Sequence, residues 1–192
     1  MTKKDKLLFV HFIIRPPLYA WPVTKDTIVA FVRGYEIGRL GKCNFTDLMN
    51  THLSKKILVK QRALGWPDQI TSLAQKKSLN WITAFKQESL EVLASEESGG
   101  LDNELKKLLK NTILHFINCI GGSDYVYDSS WIDRWNEFCT SKSNWFKELW
   151  KHEEYKAIRA ISREINKPDF KSNQPLKATK ELLKHKSKFY PS

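Results

Sequence analysis

Apolar residues recur at three- and four-residue spacing along most of the chain, which is the pattern of amphipathic α-helices. The strongest example runs from Leu101 to Ile120 and covers about five turns. Shorter segments of the same kind precede and follow it, and no repeat of fixed period emerges from them. We therefore predict a mainly α fold, a single-domain helical bundle of about seven or eight helices.

Capping and breaking residues divide this pattern into separate helices. Thr24 has the chemistry of an N-cap, and Gly41 followed by Lys42 is expected to end the helix that Thr24 begins. Asn44 can cap the next helix, and Pro67 suits the first turn of another. Further starts are predicted at Ser78 or Asn80, at Asp128, Ser129 and Ser130, and at Ser143 or Asn144.

The first apolar run, from Lys6 to Ile14, fits either a helix or a strand. It is rich in residues that favour strands, whereas Thr2 followed by Asp5 resembles the cap of a helix. The triplet from Ile57 to Val59 is the only other candidate strand in the sequence. A lone strand has no partner for its backbone hydrogen bonds, so we favour the helix, although the pattern leaves both open.

Three prolines bracket an aromatic loop between the first two predicted helices. Pro16 and Pro17 restrict two successive φ angles, and Pro22 repeats the restriction after Tyr19 and Trp21. The two rings are therefore presented with little freedom, which suits either closing one end of a core or meeting a partner. Closing a core is the commoner role of such rings, and meeting a partner is the functional alternative.

Ala30, Gly34 and Gly38 form a stripe without side-chain bulk along the helix that Thr24 begins. Each interior glycine costs about 1 kcal/mol relative to alanine, so we expect another backbone to approach the stripe and recover that cost. The simplest candidate is a neighbouring helix of the same chain. Charged residues between the small ones exclude a membrane span.

The stretch RPPLYAWPVTKDTIVAFVRGYEIGR covers the aromatic loop and most of the helix that follows it. It resembles the RPxMYLxxxSIxxLxAFLxGY opening of small uncharacterised bacterial proteins, some of which are associated with toxin–immunity neighbourhoods. The resemblance is strongest over the first third of the chain and continues more weakly through Gly65, Trp66 and the helix from Trp81 to Phe85. It implies a non-enzymatic bacterial binding protein of the immunity or antitoxin type, which binds and occludes a protein partner such as a toxin.

The composition is that of a folded globular protein with room for one substantial core. The chain has 192 residues, of which 41% are hydrophobic, including seven Trp and ten Phe, and this excludes global disorder. The polar turn at 96–100 contains two glycines and is the clearest candidate hinge. We therefore expect a helical domain at 1–168, followed by a basic tail at 169–192. The tail forms a short basic helix or stays loose until it meets a partner.

The formal net charge of +11 favours anionic partners such as nucleic acid, an anionic membrane surface or an acidic protein. Residues 55–77 are basic and residues 86–104 are acidic, so two electrostatic faces are expected. The alternative function is a nucleic-acid-binding module that uses the basic segments 55–62 and 171–188. Its candidate residues are Lys55, Lys56, Lys60, Arg62, Lys177, Lys180, Lys184 and Lys186.

Motifs that carry enzyme chemistry are absent from the sequence. It contains no nucleophile elbow, phosphate-binding glycine loop, zincin helix or paired metal-ligand spacing, so we predict no enzyme activity, cofactor or metal site. His115 and Cys119 share a helix face, but a packed histidine and thiol is the commoner arrangement. Trp145 and Trp150 lie among lysines, where core tryptophans beneath a charged surface are favoured over stacking on nucleic acid.

The loop after the longest helix is acidic and aromatic, and loops of this kind commonly carry recognition residues. Its Asp124 and Asp128 are more commonly turn and cap residues than an acid and base pair, and an enzyme that uses them or His115 is a third alternative. The predicted protein-contact residues of both loops are Tyr19, Trp21, Asp124, Tyr125, Tyr127 and Asp128.

Cysteine use points to a reducing compartment. Cys43, Cys119 and Cys139 are odd in number and have no CxxC spacing, which argues against a disulfide framework. The run from Leu7 to Ile14 is too short for a signal peptide, and Arg-Pro-Pro follows it in place of a cleavage site. We therefore predict a cytoplasmic protein without membrane association, and the sequence leaves its oligomeric state open.

Overall fold

The computed structural model describes residues 1–57, 64–121, 134–137 and 143–167. Every regular element among these residues is helical, and none of them is a strand. The predicted mainly α fold is therefore confirmed. None of the helices in this part of the chain is both long enough and apolar enough to cross a membrane.

The helices are numbered in chain order, and residues 134–137 are helical as well. Short 3₁₀ turns precede α2 and follow α5, at Pro16–Leu18 and Glu96–Ser98. The α-helices are α1 (Lys3–Ile14), α2 (Lys25–Gly38), α3 (Phe45–Ser54), α4 (Trp66–Lys77), α5 (Trp81–Ala94), α6 (Asn103–Gly121), α7 (Asn144–Glu148) and α8 (His152–Ile165).

The chain divides into two compact units, Met1–Leu105 and Lys106–Ser192. The first unit contains α1 to α5, and α6 begins at its end. The candidate hinge at 96–100 precedes the division and consists of a 3₁₀ turn followed by Gly99 and Gly100, both at positive φ. Glycine suits these two positions because a side chain is strained there.

α5 lies at the centre of the first unit, where it packs against α1, α3 and α4. Its Phe85 is fully buried, and the ring centre lies 5.6 Å from that of Trp66 and 6.1 Å from that of Phe12. Phe9 of α1 stacks on Phe45 of α3 with ring centres 4.3 Å apart. Aromatic pairs at these distances add to the free energy gained by burying each ring, so a cluster of aromatic contacts joins α1, α3, α4 and α5 in the first unit.

A reciprocal cap sets the start of α1. The amide of Asp5 donates to the Thr2 hydroxyl at 3.2 Å, and the amide of Thr2 donates to the Asp5 carboxylate at 3.0 Å. The run from Lys6 to Ile14 is therefore helical, as predicted, and the helix already begins at Lys3.

Three more of the predicted helix starts are confirmed. The Thr24 hydroxyl accepts from the Thr27 amide at 3.2 Å and caps α2, and Pro67 lies in the first turn of α4. Asn80, rather than Ser78, opens α5, because its side-chain oxygen accepts from an amide of the first turn at 2.8 Å. These starts were accessible from the sequence because each depends on residues three positions apart or fewer.

The predicted end of α2 at Gly41 is wrong. The helix ends at Gly38, and the chain then makes a tight turn in which Leu40 (φ 49°) and Gly41 (φ 77°) are left-handed. A left-handed backbone cannot continue a right-handed helix. Gly41 therefore lies in the turn that follows the helix and does not end the helix itself.

The predicted cap of α3 is also incorrect in its chemistry. Asn44 precedes the helix, but its side chain makes no capping hydrogen bond. The Glu36 carboxylate of α2 takes that role, because it accepts from the Thr46 amide at 2.7 Å and from the Thr46 hydroxyl at 2.5 Å. An acidic group at a helix N-terminus also interacts favourably with the helix dipole.

α6 and α8 supply most of the described core of the second unit. Ile113 of α6 and Ile158 and Ile161 of α8 are fully buried. The Lys110 ammonium of α6 lies 3.1 Å from the Glu154 carboxylate of α8, so an ion pair joins the two helices. The predicted helical spacing of both segments is confirmed.

Some predictions fall outside the described residues and have no structural outcome. They are the residues beyond Ile57 in the candidate strand, the caps at Asp128, Ser129 and Ser130, and the basic tail at 169–192.

Candidate protein-binding surface

The aromatic loop, residues 16–22, presents two large apolar side chains to solvent. Leu18 is 70% exposed and Trp21 is 78% exposed. Side chains of this size are normally buried on folding, and leaving one of them in water forgoes about 1.5–3 kcal/mol. The loop therefore has apolar surface that a partner can cover.

Backbone hydrogen bonds hold the loop in one shape. The amides of Tyr19 and Ala20 both donate to the Pro16 carbonyl at 2.9 Å. On the other side of Trp21, the Thr27 hydroxyl of α2 donates to the Pro22 carbonyl at 2.6 Å. The exposed side chains are thus carried by a backbone that is fixed at both ends.

The two predicted roles of the loop are divided between its rings. Tyr19 closes the end of the core, because its ring centre lies 5.8 Å from Phe12 and 5.5 Å from Phe31, edge to face in both cases. Trp21 has no such contact among the described residues and points into solvent. The expectation that both rings close the core is therefore wrong for Trp21.

The stripe of Ala30, Gly34 and Gly38 on α2 is exposed. A Cβ atom added at either glycine would meet no other atom within 4 Å. The predicted contact with a neighbouring helix of the same chain is therefore wrong for the part of the chain that the structure describes. Ile37, between the two glycines, is 74% exposed, and Leu40 in the following turn is 87% exposed.

Asp5 fixes the orientation of α2 against α1. Its fully buried carboxylate accepts from the Tyr35 hydroxyl at 2.7 Å and from the Arg39 guanidinium at 2.8 Å. Burial opposes the charge of Asp5, but hydrogen bonds from Thr2, Tyr35 and Arg39 outweigh it and lower its pKa to about 2. Because Tyr35 and Arg39 lie one turn apart, this contact holds one side of α2 inward and the opposite side outward.

The basic segment that begins at Lys55 is already engaged in ion pairs. The carboxylate of Glu88 on α5 is buried, and it lies 2.6 Å from the Lys56 ammonium, 2.8 Å from the Lys77 ammonium and 2.9 Å from the His52 ring. Burial alone would raise the pKa of Glu88, but the His52 hydrogen bond and the lysine charges lower it to about 2. Two lysines against one carboxylate leave a net positive charge at this place.

This cluster was not predicted from the sequence, because Glu88 lies within the acidic run 86–104. The available signal was its position on α5, three residues after the buried Phe85 and one before the buried Ser89. A carboxylate on the buried face of a helix needs cationic partners, and basic residues nearby in the fold supply them. Lys55 differs from Lys56, because it pairs with the exposed Glu97 at 3.1 Å.

The remaining candidate residues of both functions lie outside the described part of the chain. They are Asp124, Tyr125, Tyr127 and Asp128 for protein binding, and Lys60, Arg62, Lys177, Lys180, Lys184 and Lys186 for nucleic-acid binding.

The described residues show no group of three side chains placed to bind a metal ion. The Cys119 sulfur lies 3.6 Å from Nε2 of His115, and burial raises the pKa of the thiol. Trp145 and Trp150 are buried, as expected for core tryptophans, and the Lys110 ammonium lies 5.0 Å from the centre of the Trp150 ring. These features belong to the packing of the second unit.

Comparison of the chain with protein-family models, with curated proteins and with solved structures finds no match in any of the three. The resemblance to proteins of toxin–immunity neighbourhoods therefore stays a prediction.

Proposed function

We propose that this chain is a non-enzymatic binding protein of the immunity or antitoxin type, which uses the aromatic loop to bind and occlude a protein partner. The observation that carries the proposal is the exposure of Leu18 and Trp21 on a loop anchored by the packed ring of Tyr19. The free thiols of Cys43 and Cys119 support a reducing, cytoplasmic setting for this interaction.

Physical chemistry favours protein binding at such a loop. Tryptophan is enriched among the residues that dominate interface energies, where its loss costs about 2 kcal/mol or more. A loop that is already ordered also loses little conformational freedom on binding, so more of the contact energy appears as affinity. The aromatic loop is ordered before binding in this sense, because hydrogen bonds to the Pro16 and Pro22 carbonyls hold its backbone.

The charge of the chain indicates the chemistry of the partner. The protein carries a net charge of +11, and Arg15 and Arg33 are exposed near the loop and on α2. Opposite charges on two proteins accelerate their encounter and suppress binding to partners of the same sign. We therefore expect an acidic partner with an apolar recess for Trp21.

The test is an affinity capture of tagged, full-length protein from lysate of its own source, with and without nuclease treatment. Trp21→Ala and Leu18→Ala are compared with Leu64→Ala, a matched control because Leu64 is another exposed leucine of the first unit. One stoichiometric protein partner that survives nuclease treatment, persists with the control and is lost with both loop variants is the expected result. Equal capture by all four proteins would refute the role of the loop.

Nucleic-acid binding is the second candidate, and the net positive charge around Glu88 favours it. Lys56 and Lys77 both form ion pairs with the Glu88 carboxylate, so their ammonium groups lie close together on the first unit. Phosphate contacts of this kind weaken steeply with salt. Recovery dominated by nucleic acid, and lost on nuclease treatment or at moderate salt, would favour this function instead.

A further inference from the structure

The outward side of α8 carries a row of basic side chains. Ile158 and Ile161 are fully buried and define the inward side of this helix. Lys156, Arg159 and Arg163 are exposed and follow one another at spacings of three and four residues, so they share one face on the opposite side. The apolar packing of α8 therefore directs these three cations into solvent.

Acidic neighbours neutralise little of this positive charge. Neither Arg159 nor Arg163 forms an ion pair with another described residue, and the Arg159 guanidinium lies 5.9 Å from the centre of the Tyr155 ring, a contact that leaves its charge in place. Lys156 pairs with Glu153 at 3.1 Å, but the two side chains are 61% and 68% exposed. An ion pair so open to water contributes little, and another anion can replace its carboxylate.

The row is unfavourable for the helix that carries it. Arg159 and Arg163 are four positions apart, and like charges at this spacing repel each other and destabilise a helix. The helix dipole favours a cation in the last turn, which accounts for Arg163 but not for Arg159 and Lys156, which lie further from the end. An anion bound across the row would remove this repulsion.

The composition of this face distinguishes between classes of anionic partner. The large apolar side chains that are exposed among the described residues all belong to the first unit, and none lies on α8. Protein interfaces are centred on apolar and aromatic residues, and helices that lie on a membrane insert an apolar face into it. Contacts to the backbone of a nucleic acid are made by charged and polar groups. A cationic face without an apolar anchor therefore matches a phosphate backbone.

The spacing of the row suits a chain of phosphates. Lys156 and Arg163 are seven residues apart, which corresponds to about 10.5 Å along the helix axis. One strand of a B-form duplex carries a phosphate about every 3.4 Å along its axis, so the row spans about three of them. The sequence continues the charge, because residues 151–192 contain eleven Lys and Arg against five Asp and Glu, which is six of the net eleven positive charges.

We propose that the outward face of α8 binds the phosphate backbone of a nucleic acid, with Lys156, Arg159 and Arg163 each contacting a phosphate. Arginine suits this role, because its guanidinium can donate two parallel hydrogen bonds to one phosphate. All three residues lie outside the basic segments 55–62 and 171–188 that the sequence indicates. Backbone contacts carry no sequence information, so two unrelated duplexes should bind equally well.

This proposal does not rest on the proposed function. Partner binding uses Leu18 and Trp21 of the aromatic loop in the first unit, whereas phosphate binding uses α8 in the second. Capture from lysate tests the former, and the purified chain with purified DNA tests the latter, so either can fail without the other.

The test is fluorescence anisotropy of a short labelled DNA duplex of mixed sequence, titrated with full-length protein at a series of salt concentrations. Each phosphate contact contributes about 0.9 to the slope of log affinity against log salt. The double variant Arg159→Gln with Arg163→Gln removes two contacts, so we expect the slope to fall by about 2 and the dissociation constant at about 0.1 M salt to rise at least about 10-fold. Arg159→Lys with Arg163→Lys keeps both charges and should keep most of the slope.

Arg15→Gln with Arg33→Gln is the matched control, because it removes the same net charge from two exposed arginines of the first unit. Its slope should stay near that of wild type, and circular dichroism confirms that every variant folds. Absence of duplex binding at low salt, or an equal fall in slope in both glutamine variants, would overturn the proposal. A slope unchanged by Arg159→Gln with Arg163→Gln would also overturn it and assign the phosphate contacts to basic residues elsewhere, as would tighter binding to phosphatidylserine vesicles than to the duplex.

Discussion

Replacing Glu88 with glutamine is expected to destabilise the first unit by about 3 kcal/mol at neutral pH. Glutamine keeps the size of the side chain and removes only the charge on which Lys56, Lys77 and His52 converge. The carboxylate lies on α5, while its partners belong to α3, to the turn after α3 and to the end of α4. Loss of the charge therefore weakens the contact of α5 with two neighbouring helices at once.

The magnitude follows from the proton affinity of the carboxylate. Glu88 has a pKa of about 2 in the folded protein against an ordinary value of 4.5. At about 1.4 kcal/mol for each tenfold change in proton affinity, this difference corresponds to about 3 kcal/mol. The side chain of Glu88 is only 2% exposed, so solvent screens these interactions little. Lys56 and Lys77 are partly exposed and can turn towards water in the variant, which keeps the loss from being larger.

The direction of the pKa shift of Glu88 determines how its contribution to stability changes with pH. Because folding lowers the pKa of Glu88, the charged carboxylate contributes its full stabilisation above about pH 4.5, the ordinary value, and loses it as the pH falls towards 2. Urea denaturation of wild type and Glu88→Gln at pH 7 and at pH 2.5 should therefore show a large difference at pH 7 and a small one at pH 2.5. Hydrogen exchange of peptides from α5 assigns the effect to the first unit.

Glu97→Gln is the matched control. Glu97 also has a pKa of about 2 and pairs with Lys55, but both members of that ion pair are exposed to solvent. Exposed ion pairs contribute little to stability, so the urea midpoint of this variant should stay near that of wild type. If Glu88→Gln destabilises the protein no more than Glu97→Gln, or equally at both pH values, the buried charge cluster does not stabilise the fold.

Three further predictions test other parts of the structure. Asp5→Asn should cost about 2 kcal/mol at pH 7, because folding lowers the pKa of Asp5 from 3.8 to about 2, and the loss should vanish as the pH falls from 4 towards 2 in urea titrations. Trp66→Ala, at a 1% exposed position, should cost about 3–5 kcal/mol in thermal unfolding, whereas Leu64→Ala at an exposed position should change stability by less than about 0.5 kcal/mol. Ile161→Ala should cost about 2–5 kcal/mol and increase hydrogen exchange in α6 and α8; unchanged exchange there would contradict the described core of the second unit.

Helix starts were the features most accessible from the sequence. Thr2, Thr24 and Asn80 cap their helices by accepting hydrogen bonds from amides three residues away, so the information lies within one turn. The cap of α3 was not accessible, because Glu36 approaches Thr46 from a different helix. A cap supplied through tertiary structure leaves no local signature in the sequence.

The apolar spacing of α2 indicates its inward side correctly, because Ile28 and Val32 are both buried, but it does not indicate the polar contact that holds this side in place. The inward side is fixed by Tyr35 and Arg39, which both donate to the buried Asp5. Arginine is treated as a surface residue when apolar spacing is read from a sequence. The spacing therefore cannot indicate that Arg39 faces inward and donates to a buried carboxylate. The glycine stripe was expected to meet a neighbouring helix of the same chain, and this expectation is wrong among the described residues, because the contact with Asp5 leaves the stripe on the outward side of α2.

The two features whose expected burial is wrong, Trp21 and the Gly34 stripe, lie on one continuous segment of the chain. Core packing was the commoner expected role for Trp21, and the Gly34 stripe was expected against a helix, but Trp21 and the stripe both lie in solvent together with Ile37. Sequences that are otherwise consistent with their fold depart from that consistency mainly at functional sites. The exposed side chains of the aromatic loop are carried by a backbone that hydrogen bonds hold at both ends, and the proposed protein partner would supply the packing that the loop lacks.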